Sequence, residues 1–337
     1  RSAMKILFLS TRRAKPSFRF RVEQFLPYFQ EKGHACDVAF LTNQPLSRLW
    51  LYRRLSAYDA VFLQKRLLSR AELFLVRQRA KRLIYDVDDA VMFNGKGQPE
   101  LRRQSRFRAT VAAADLVICG NSYLADQARN HARRIEVIPT CIDSEMFHPR
   151  LKSQNAGPLT IGWTGSRSTN QYLNPILPVI GALGPRVQFR FLSDMSEGVD
   201  LASLGNVSHR FTPWSPEVEI TETASFDIGL MPLPDNPWTR GKCGFKALQY
   251  MGLGIPAVCS PVGVNGEILT HEKNGLLASS PEEWANALTR LVEDSTFREQ
   301  LGQAGRKRIE EHYAVNVQAP RLIELIEQIS LPQKRSA

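Results

Sequence analysis

The sequence predicts an α/β protein built from two doubly wound domains in tandem. Short, continuously apolar segments recur along the 337 residues, helical patterns separate most of them, and a polar stretch interrupts the series near the middle. Strands that are buried on both faces of a parallel sheet are apolar throughout, and their alternation with helices indicates βαβ units. A chain of this length is also too long for one ordinary core.

The first half contains the first series of strands and helices. Strands are predicted at 5–10, 35–41, 60–65, 83–87, 115–121 and 135–140, with helices at 22–32, 70–81 and 122–132. The segment "HPRLKSQNAGP" that follows (148–158) is polar, with proline and glycine near its ends, which is typical of a linker. We therefore predict an N-terminal domain over residues 1–150.

A second series follows the linker. Strands are predicted at 159–165, 187–193, 207–214, 227–233, 255–260 and 275–279, with helices near 171–183, 216–224, 244–252, 281–293, 296–312 and 319–329. This predicts a C-terminal domain over 151–315 and a terminal helix within 316–337 that packs back towards the N-terminal domain. Doubly wound sheets bind ligands beyond the carboxyl ends of their strands, so we expect two domains that face one cleft with one substrate each.

Composition and cysteine usage narrow the class of protein. The chain is 43% hydrophobic and 23% charged, as globular proteins are, and no apolar run is long enough to span a bilayer. The opening "KILFLS" fits a first strand better than a signal peptide. Five cysteines without CxxC or Cys/His spacing indicate reduced thiols, so we expect a cytoplasmic protein without a metal site.

Charge is distributed unevenly along the chain. Residues 1–150 hold 27 Lys and Arg against 14 Asp and Glu, a net charge of +13, whereas the remainder has −2. The first half is therefore expected to meet an anionic partner: nucleic acid, an anionic membrane surface, or a phosphorylated substrate. A solvated arginine-rich surface is the simpler alternative. Nucleic acid is the least favoured partner, because aromatic residues are not interleaved with the arginines and no recognition module is present.

The segment "GWTGSRST" (162–169) predicts a phosphate-binding turn. It follows a predicted strand and precedes a helix, so that Gly165 permits close backbone approach and Ser166 can cap the helix. Thr164 begins the turn, and Arg167 offers a planar fork of donors suited to phosphate oxygens. A tight turn with a solvated arginine is the alternative.

The segment "TRGKCGFKALQYMG" (239–252) predicts a helix that begins at Gly244 with cations at its N-terminal end. Lys242 and Lys246 are four residues apart and are expected to share one helical face. Two cations at a helix N-terminus are unfavourable unless an anion is bound there, which points to a diphosphate. Alternatively, both lysines extend into solvent. Gln249 lies one turn further on, within reach of a ribose hydroxyl.

Residues 226–278 resemble the nucleotide-sugar domain of retaining GT-B glycosyltransferases of family 4. That family typically shows an apolar strand, a Glu-x7-Glu helix, A-x-G-x-P-V, G-G-x-x-E and N-G-L-L-V, and here "GLGIPAV", "VGVNGE" and "NGLLA" follow in the same order. "KILFLS", "ADLVICGNSYLADQ" and "IEVIPTCIDSEMFHP" resemble its N-terminal domain. The resemblance covers most of the chain. It implies two Rossmann-like domains facing across a cleft.

The resemblance also implies a reaction. A sugar would pass from a nucleoside-diphosphate sugar to an acceptor hydroxyl with retention of configuration, without metal or cofactor, by front-face displacement, in bacterial surface glycan synthesis. The acceptor would be a glycan, a lipid-linked glycan or a protein. Independently of the resemblance, the basic N-terminal half is expected to make peripheral contact with an anionic membrane, at its inner face. The expected donor-binding residues are Thr164, Gly165, Ser166, Trp214, Lys242, Gly244, Phe245, Gln249 and Glu267, with Arg167 and Lys246 as catalytic cations.

The sequence departs from the family pattern at the helix. Gln249 stands where the second Glu binds ribose, and Gly241 replaces the first Glu. Glu267 matches the Glu of G-G-x-x-E, near ribose or sugar. Trp214 is expected beside the base, or else in the core. The substitution at Gly241 leaves open a catalytically degenerate GT-B partner subunit; a nucleotide-sugar epimerase and a nucleic-acid-binding protein are further alternatives.

Two segments of the first half are candidates for the acceptor site. "YDVDDAV" (85–91) ends a predicted strand, and we expect Asp88 and Asp89 to position or deprotonate the acceptor hydroxyl, with Asp86 beside them; a metal site or a cap of the next element are the alternatives. "STRRAKPSFRFR" (10–21) places Ser17, Arg19 and Arg21 where relatives carry a glycine-rich loop. In an extended segment both arginines would point the same way and clamp an anion; solvated arginines are the alternative.

Overall fold

The computed structural model describes residues 3–13, 16–153 and 157–330, which divide into two compact units. Unit 1 contains the described residues of 3–141, 236–243 and 315–330. Unit 2 contains the described residues of 142–235 and 244–314. Each unit is built around one parallel six-stranded sheet with helices, which confirms the predicted fold class.

The sheet of unit 1 has the strand order β2-β1-β3-β4-β5-β6, and all of its pairings are parallel. Its strands are β1 (Lys5–Ser10), β2 (Ala35–Phe40), β3 (Ala60–Gln64), β4 (Leu83–Val87), β5 (Leu116–Cys119) and β6 (Ile135–Val137). The central strands β3, β4 and β5 are buried along their whole length, because helices cover both faces of the sheet.

The helices of the first part of unit 1 are α1 (Pro16–Arg21), α2 (Leu26–Glu31), α3 (Pro45–Arg53), α4 (Arg70–Arg79), α5 (Leu101–Ala113) and α6 (Ser122–Ala128). Side chains of α3 to α6 form one apolar cluster with one face of the sheet. Side chains of α1 and α2 form a second cluster on the other face, together with Leu322 and Ile326 from near the end of the chain.

The sheet of unit 2 has the strand order β12-β11-β10-β7-β8-β9, again with parallel pairings. Its strands are β7 (Leu159–Thr164), β8 (Val187–Ser193), β9 (Ser208–Pro213), β10 (Ile228–Met231), β11 (Ala257–Cys259) and β12 (Leu276–Leu277). The helices of this part of the chain are α7 (Arg167–Asn170), α8 (Leu177–Ala182), α9 (Pro216–Thr223), α10 (Pro237–Arg240, in unit 1), α11 (Phe245–Gly252), α12 (Asn265–Ile268), α13 (Pro281–Glu293), α14 (Ser295–Arg308) and α15 (Val315–Ser330, in unit 1), with a π-helical turn at Ile309–Tyr313.

The units differ from the predicted domain boundaries at two places. The first is the division after Cys141 rather than residue 150, since the N–H of Ile142 donates to the carbonyl of Tyr313 at 2.9 Å, inside unit 2. The second is the segment Asn236–Cys243, which was assigned to the C-terminal domain but belongs to unit 1. Trp238 and Cys243 pack against the apolar cluster of unit 1, and this burial decides where the segment folds.

Helix prediction was weakest in the first half. The helix expected over 22–32 is divided into a short 3₁₀ turn and α2, and proline stands near the start of α2. Helices α3 and α5 were not predicted. Both are rich in arginine, and α3 places Leu46 and Trp50 in solvent, so the apolar residues do not follow a buried stripe.

Helix α4 begins with a capping box that makes its stability depend on pH. The N–H of Ser69 donates to Glu72 at 3.0 Å, the N–H of Glu72 donates to Ser69 at 3.3 Å, and Arg48 donates to the same carboxylate at 2.7 Å. Burial alone would raise the pKa of Glu72, but these hydrogen bonds and the charge of Arg48 lower it from 4.5 to about 2. The carboxylate therefore stabilises the fold above about pH 4.5, and this contribution is lost as the pH falls towards 2.

We expect Glu72→Gln to lower the free energy of unfolding by ~1–2 kcal/mol at pH 7, as the loss of a cap and a charged hydrogen bond should. The difference from the unsubstituted protein should narrow in urea titrations at pH 3. Glu31→Gln is the control, because Glu31 is exposed. A difference that is the same at both pH values would contradict the assignment.

Candidate functional site

The turn after β7 in unit 2 is built on the ring of Trp163. A β-carbon at position 165 would stand 2.0 Å from Cη2 of Trp163, so only glycine allows the backbone to lie against this ring. The N–H of Thr164 donates to the hydroxyl of Tyr250 at 3.1 Å, and that hydroxyl donates to the carbonyl of Leu230 at 3.1 Å. Burial raises the pKa of Tyr250. A neutral tyrosine in α11 thus holds the end of β7 in place.

The start of α11 depends on a second glycine. Gly244 occupies the N-cap position with φ 69°, in the left-handed region, and a β-carbon there would stand 2.2 Å from Cδ1 of Ile268 in α12. No side chain caps this end of the helix. The positive end of the dipole of α11 lies here, and this end of a helix favours an anion nearby.

Lys246 adds a cation to this end of α11. Its Nζ lies 5.5 Å from the centroid of the Trp163 ring, the same ring against which Gly165 packs. Its charge also reaches the end of β11, where burial raises the pKa of the Cys259 thiol and Lys246 opposes that rise. The structure thus brings together Gly165 and Gly244, which were predicted to bind the donor, and Lys246, which was predicted to be a catalytic cation.

The remaining residues of the predicted phosphate turn have polar neighbours at its surface. Ser166 is the N-cap of α7, and its hydroxyl lies 2.9 Å from that of Ser168. The side chain of Arg167 is exposed, while its backbone N–H donates to Asp194 at 2.5 Å. This hydrogen bond holds the backbone of the turn and leaves the guanidinium on the outside.

Other predicted donor residues occupy different environments. Phe245, the first residue of α11, is half-buried, and Glu267 is exposed on α12. The carbonyl of Glu267 accepts a hydrogen bond from Arg308 at 3.1 Å. Trp214 is half-buried, and its backbone N–H donates to Ser193 at 2.8 Å. Trp214 therefore lies at the carboxyl edge of β8, since Ser193 is the last residue of that strand.

Gln249 is a correction to the sequence analysis. Its side chain is 1% exposed, and its amide nitrogen donates to Oε1 of Glu219 in α9 at 3.0 Å. A ribose contact was predicted from the position of Gln249 in the helix, but this face of α11 packs inside unit 2. The buried partner Glu219 was not foreseen, because α9 is distant in sequence.

Two residues near the start of α11 were missed. One is Trp163, whose ring contacts both Gly165 and Lys246. A tryptophan within a predicted buried strand is expected to be an ordinary core residue. The other is Asn265, which is fully buried and donates to the carbonyl of Ser260 at 3.0 Å. Its Oδ1 has no hydrogen-bond partner in the described part of the chain and would lie 3.5 Å from a β-carbon at Gly244. Buried acceptors without a donor are uncommon.

Lys242 is a second correction. Helix α11 begins at Phe245, so Lys242 and Lys246 do not share a helical face. Lys242 lies in unit 1, where its Nζ is 3.1 Å from Oδ1 of Asp89 and 4.5 Å from the centroid of the Trp238 ring. The side chain of Asn121 also donates to the carbonyl of Lys242 at 3.0 Å. These contacts assign Lys242 to the structure of unit 1 rather than to a phosphate site.

Asp89 forms an ion pair with a second lysine, Lys65. Nζ of Lys65 lies 2.5 Å from its Oδ2, and Lys65 holds a left-handed backbone with φ 60°. Burial would raise the pKa of Asp89, but Lys65 and Lys242 together lower it well below its usual range. A carboxylate stabilised by two ammonium groups is a poor base, which argues against deprotonation of an acceptor by Asp89.

Asp88 is bound less tightly than its neighbour. Its Oδ1 lies 3.5 Å from Nζ of Lys65 and has no hydrogen-bond partner in the described ranges, while its carbonyl accepts the thiol of Cys243 at 3.2 Å. Burial raises the pKa of Cys243, so this thiol stays protonated. Of the two predicted carboxylates, Asp88 is the one with a buried oxygen that no hydrogen bond occupies in the described ranges.

Arg21 and Asp86 are a third correction. Segment 16–21 is the helix α1, so Arg19 and Arg21 do not point the same way, and Ser17 and Arg19 are half-buried on it. Arg21 is buried and forms a bidentate ion pair with Asp86, in which Nη2 contacts Oδ1 and Nε donates to Oδ2 at 3.2 Å. Its Nη1 donates to the carbonyl of Ile138 at 2.7 Å. Both residues are buried in unit 1, and the groups predicted to contact an acceptor are occupied by each other.

Several features concern the described residues as a whole. Across 3–13, 16–153 and 157–330, no three His, Cys, Asp or Glu side chains converge as metal ligands do. None of the helices in these ranges combines the length and apolar character needed to cross a membrane. All five cysteines have free thiols.

The sequence is similar to a known protein family and to an individual characterised protein. Residues 161–294 match the family described as Glycosyl transferases group 1. The D-inositol 3-phosphate glycosyltransferase of Paenarthrobacter aurescens is 24% identical over 251 residues, which cover 64% of this chain and 58% of that protein. The chain thus spans little more than half the length of this relative.

Solved structures resemble the chain over nearly all of its length. Sucrose-phosphate synthase from Thermosynechococcus elongatus has a TM-score of 0.76 at 16% identity, covering 96% of this chain and 99% of that one. Anabaena HepE, solved with UDP-glucose, has a TM-score of 0.73 at 18% identity, covering 96% and 100%. The chain accordingly has the GT-B fold of these glycosyltransferases, and the part of it that carries Trp163, Gly165 and Lys246 matches the Glycosyl transferases group 1 family.

Proposed function

We propose that the protein is a glycosyltransferase that moves a sugar from a nucleoside-diphosphate sugar to an acceptor hydroxyl. One observation carries the proposal: Lys246, in the first turn of α11, lies over the same Trp163 ring that holds the turn at Gly165. A cation, a helix N-terminus and two close backbone approaches suit a diphosphate. The family match over 161–294 and the resemblance to HepE, solved with UDP-glucose, support a nucleotide sugar as the donor.

The residues would act on the leaving group. When the bond between the anomeric carbon and the diphosphate breaks, negative charge develops on the phosphate oxygens. Lys246 and the N–H groups of α11 stabilise that charge, and Arg167, exposed on α7, adds a second cation from the neighbouring turn. These charges come from the protein, so we propose a reaction that needs no metal or other cofactor.

The finer features of the reaction rest on the resemblance. We propose retention of configuration by front-face displacement, in which the acceptor oxygen bonds to the anomeric carbon and its proton passes to the departing phosphate. In unit 1, Asp88 is the group that would orient the acceptor, because one of its oxygens has no hydrogen-bond partner in the described ranges. A role in bacterial surface glycan assembly, with the protein in peripheral contact with an anionic membrane, completes the proposal.

Two residues of unit 2 are proposed to contact the donor sugar. Asn265 lies beside Gly244 with a buried acceptor oxygen that lacks a donor, and a sugar hydroxyl would satisfy it. Glu267 lies two residues further along α12, exposed to solvent, at the position where the resemblance expects a sugar or ribose contact.

A second candidate function is a catalytically degenerate partner subunit. Gly241 replaces the first Glu of the family helix, and Gln249, which replaces the second, is bonded to Glu219 inside unit 2. Both changes remove carboxylates expected near the donor. Such a subunit would bind the nucleotide without breaking the sugar–phosphate bond.

Thermal unfolding with a panel of nucleoside diphosphates tests donor binding. We expect one of them to raise Tm, since a ligand at about 100 times its Kd adds about 2.7 kcal/mol to the free energy of unfolding. Double-stranded DNA should leave Tm unchanged. Slow hydrolysis of the matching nucleotide sugar would identify the enzyme, whereas nucleotide binding without hydrolysis or transfer would favour the degenerate subunit. The absence of any nucleotide effect would overturn both.

A further inference from the structure

Three helices of unit 1 place large apolar side chains in solvent. Leu46 and Trp50 on α3 are 81% and 64% exposed, Phe74 on α4 is 64% exposed, and Leu101 on α5 is 85% exposed. Single exposed apolar residues are ordinary, but these four lie on consecutive helices of one layer. We call these four residues, with the exposed arginines of the same layer, the apolar–basic face.

The three helices are neighbours. Arg48 of α3 bonds to Glu72 of α4 at 2.7 Å. Arg70, the first residue of α4, and Leu101, the first residue of α5, line one open cavity of about 540 Å³. Each helix connects two parallel strands and so begins at the edge of the sheet where strands end. The exposed apolar side chains therefore lie on one layer, with Leu46 and Leu101 in the first turns of their helices and Trp50 and Phe74 near the middle.

The same helices are strongly basic. Together α3, α4 and α5 contain nine arginines and one acidic residue, Glu72, which is already paired with Arg48. The exposed arginines of the face are Arg53, Arg54, Arg70, Arg79, Arg102, Arg103 and Arg108. Arg54 also lies 5.2 Å from the Trp50 ring centroid, so cationic and apolar groups are interleaved.

We propose that the apolar–basic face docks onto an anionic phospholipid surface. The inference deepens the peripheral membrane contact proposed above and rests on it. Apolar side chains enter the boundary between headgroups and acyl chains while arginines bind lipid phosphates, which is how amphipathic helices lie on membranes. Arg70, Arg108 and His131 line the cavity between α4 and α5, where a headgroup phosphate fits.

The positive charge of the apolar–basic face, together with its leucines, favours an anionic bilayer over a second copy of the chain and over nucleic acid. A second copy of the chain would bring one set of arginines against another, which is repulsive. Nucleic acid would match the arginines and would offer bases to stack on Trp50 and Phe74, but it would leave Leu46 and Leu101 in water, since bases stack on aromatic rings rather than on leucines. An anionic bilayer can bind the arginines through its phosphates and bury the apolar side chains at its surface.

Flotation with lipid vesicles tests the proposal. The whole protein should float with vesicles of phosphatidylcholine mixed with phosphatidylglycerol, not with phosphatidylcholine alone, and should dissociate as salt is raised. The triple variant Trp50→Ser/Phe74→Ser/Leu101→Ser should bind at least ~10-fold more weakly, because the inserted apolar area is lost. Replacing Arg70, Arg102 and Arg108 with Gln should weaken binding about 5-fold per arginine; Arg103 is left in place because it is paired with Glu100 at 2.6 Å. Met195→Ser, at a 41% exposed position of unit 2, is the matched control.

The outcomes separate this proposal from the transfer reaction. Vesicle binding that the two triple variants leave unchanged would overturn the docking face, as would equal binding to neutral vesicles or tighter binding to duplex DNA. The same variants should keep the nucleoside-diphosphate effect on Tm, since none of the substituted residues lies in unit 2. Loss of that effect in the unsubstituted protein would instead count against the proposed function and leave the vesicle result standing.

Discussion

Replacing Lys246 with alanine is expected to lower turnover of the nucleotide sugar by ~10²–10³-fold while the protein stays folded. This magnitude is typical when one preorganised group that stabilises developing negative charge is removed. Lys246 lies at the N-terminus of α11 over the Trp163 ring, and Lys242 does not replace it there, because Lys242 is held by Asp89 in unit 1. The measurement is release of nucleoside diphosphate from the donor, with and without an acceptor extract.

Two further variants make this test specific. Lys273→Ala removes an exposed lysine elsewhere in unit 2 and should leave turnover unchanged. Lys246→Arg keeps the charge and should retain part of the activity. Loss of the contact with Trp163 should cost only ~0.5–1 kcal/mol of stability, so Tm reports whether the fold is intact. Full turnover in a folded Lys246→Ala protein would remove this residue from the site.

Replacing Asp86 with alanine is expected to destabilise the fold by ~3–5 kcal/mol, because it leaves a buried arginine without its partner. Arg21 and Asp86 are 3% and 0% exposed. Burial raises the pKa of the Asp86 carboxyl, and the Arg21 guanidinium opposes that rise. Urea unfolding at pH 7 measures the loss.

The matched controls separate the ion pair from the space it fills. The double variant Arg21→Met/Asp86→Leu should recover most of the lost stability, since apolar residues of similar volume often replace buried pairs without loss. Arg19→Ala on the same helix is half-buried and should change the free energy of unfolding by less than ~1 kcal/mol. If Asp86→Ala unfolds at the same urea concentration as the unsubstituted protein, the pair does not support the core.

Strands were the most predictable part of the fold. Segment 83–87 is apolar except for Asp86, and 187–191 alternates between apolar and polar residues; the predicted strands 83–87 and 187–193 match the observed β4 and β8. Helices α3 and α5 escaped prediction because their exposed faces carry Leu46, Trp50 and Leu101 beside the arginines. A periodicity argument assumes that apolar side chains are buried, and it fails where a surface is itself apolar.

The placement of two candidate site residues followed from local sequence. Gly244 and Lys246 were identified from a glycine before a helix with a lysine in its first turn, and the structure places both at one helix end. The prediction for Lys242 was wrong because closeness in the sequence was taken as closeness in space. Lys242 is four residues from Lys246, but the chain passes from unit 1 to unit 2 between them.

The sequence alone determined the two parallel sheets, the glycine turns and the cation at the start of α11, because these depend on continuous apolar runs and on residues a few positions apart. Only the tertiary structure decided which polar side chains are bonded inside the fold. Arg21, Lys242 and Gln249 are polar in the sequence, yet each is bonded to a carboxylate brought close by folding: Asp86, Asp89 and Glu219. Burying a charge or an amide requires a partner, and that partner comes from whatever strand or helix packs against it.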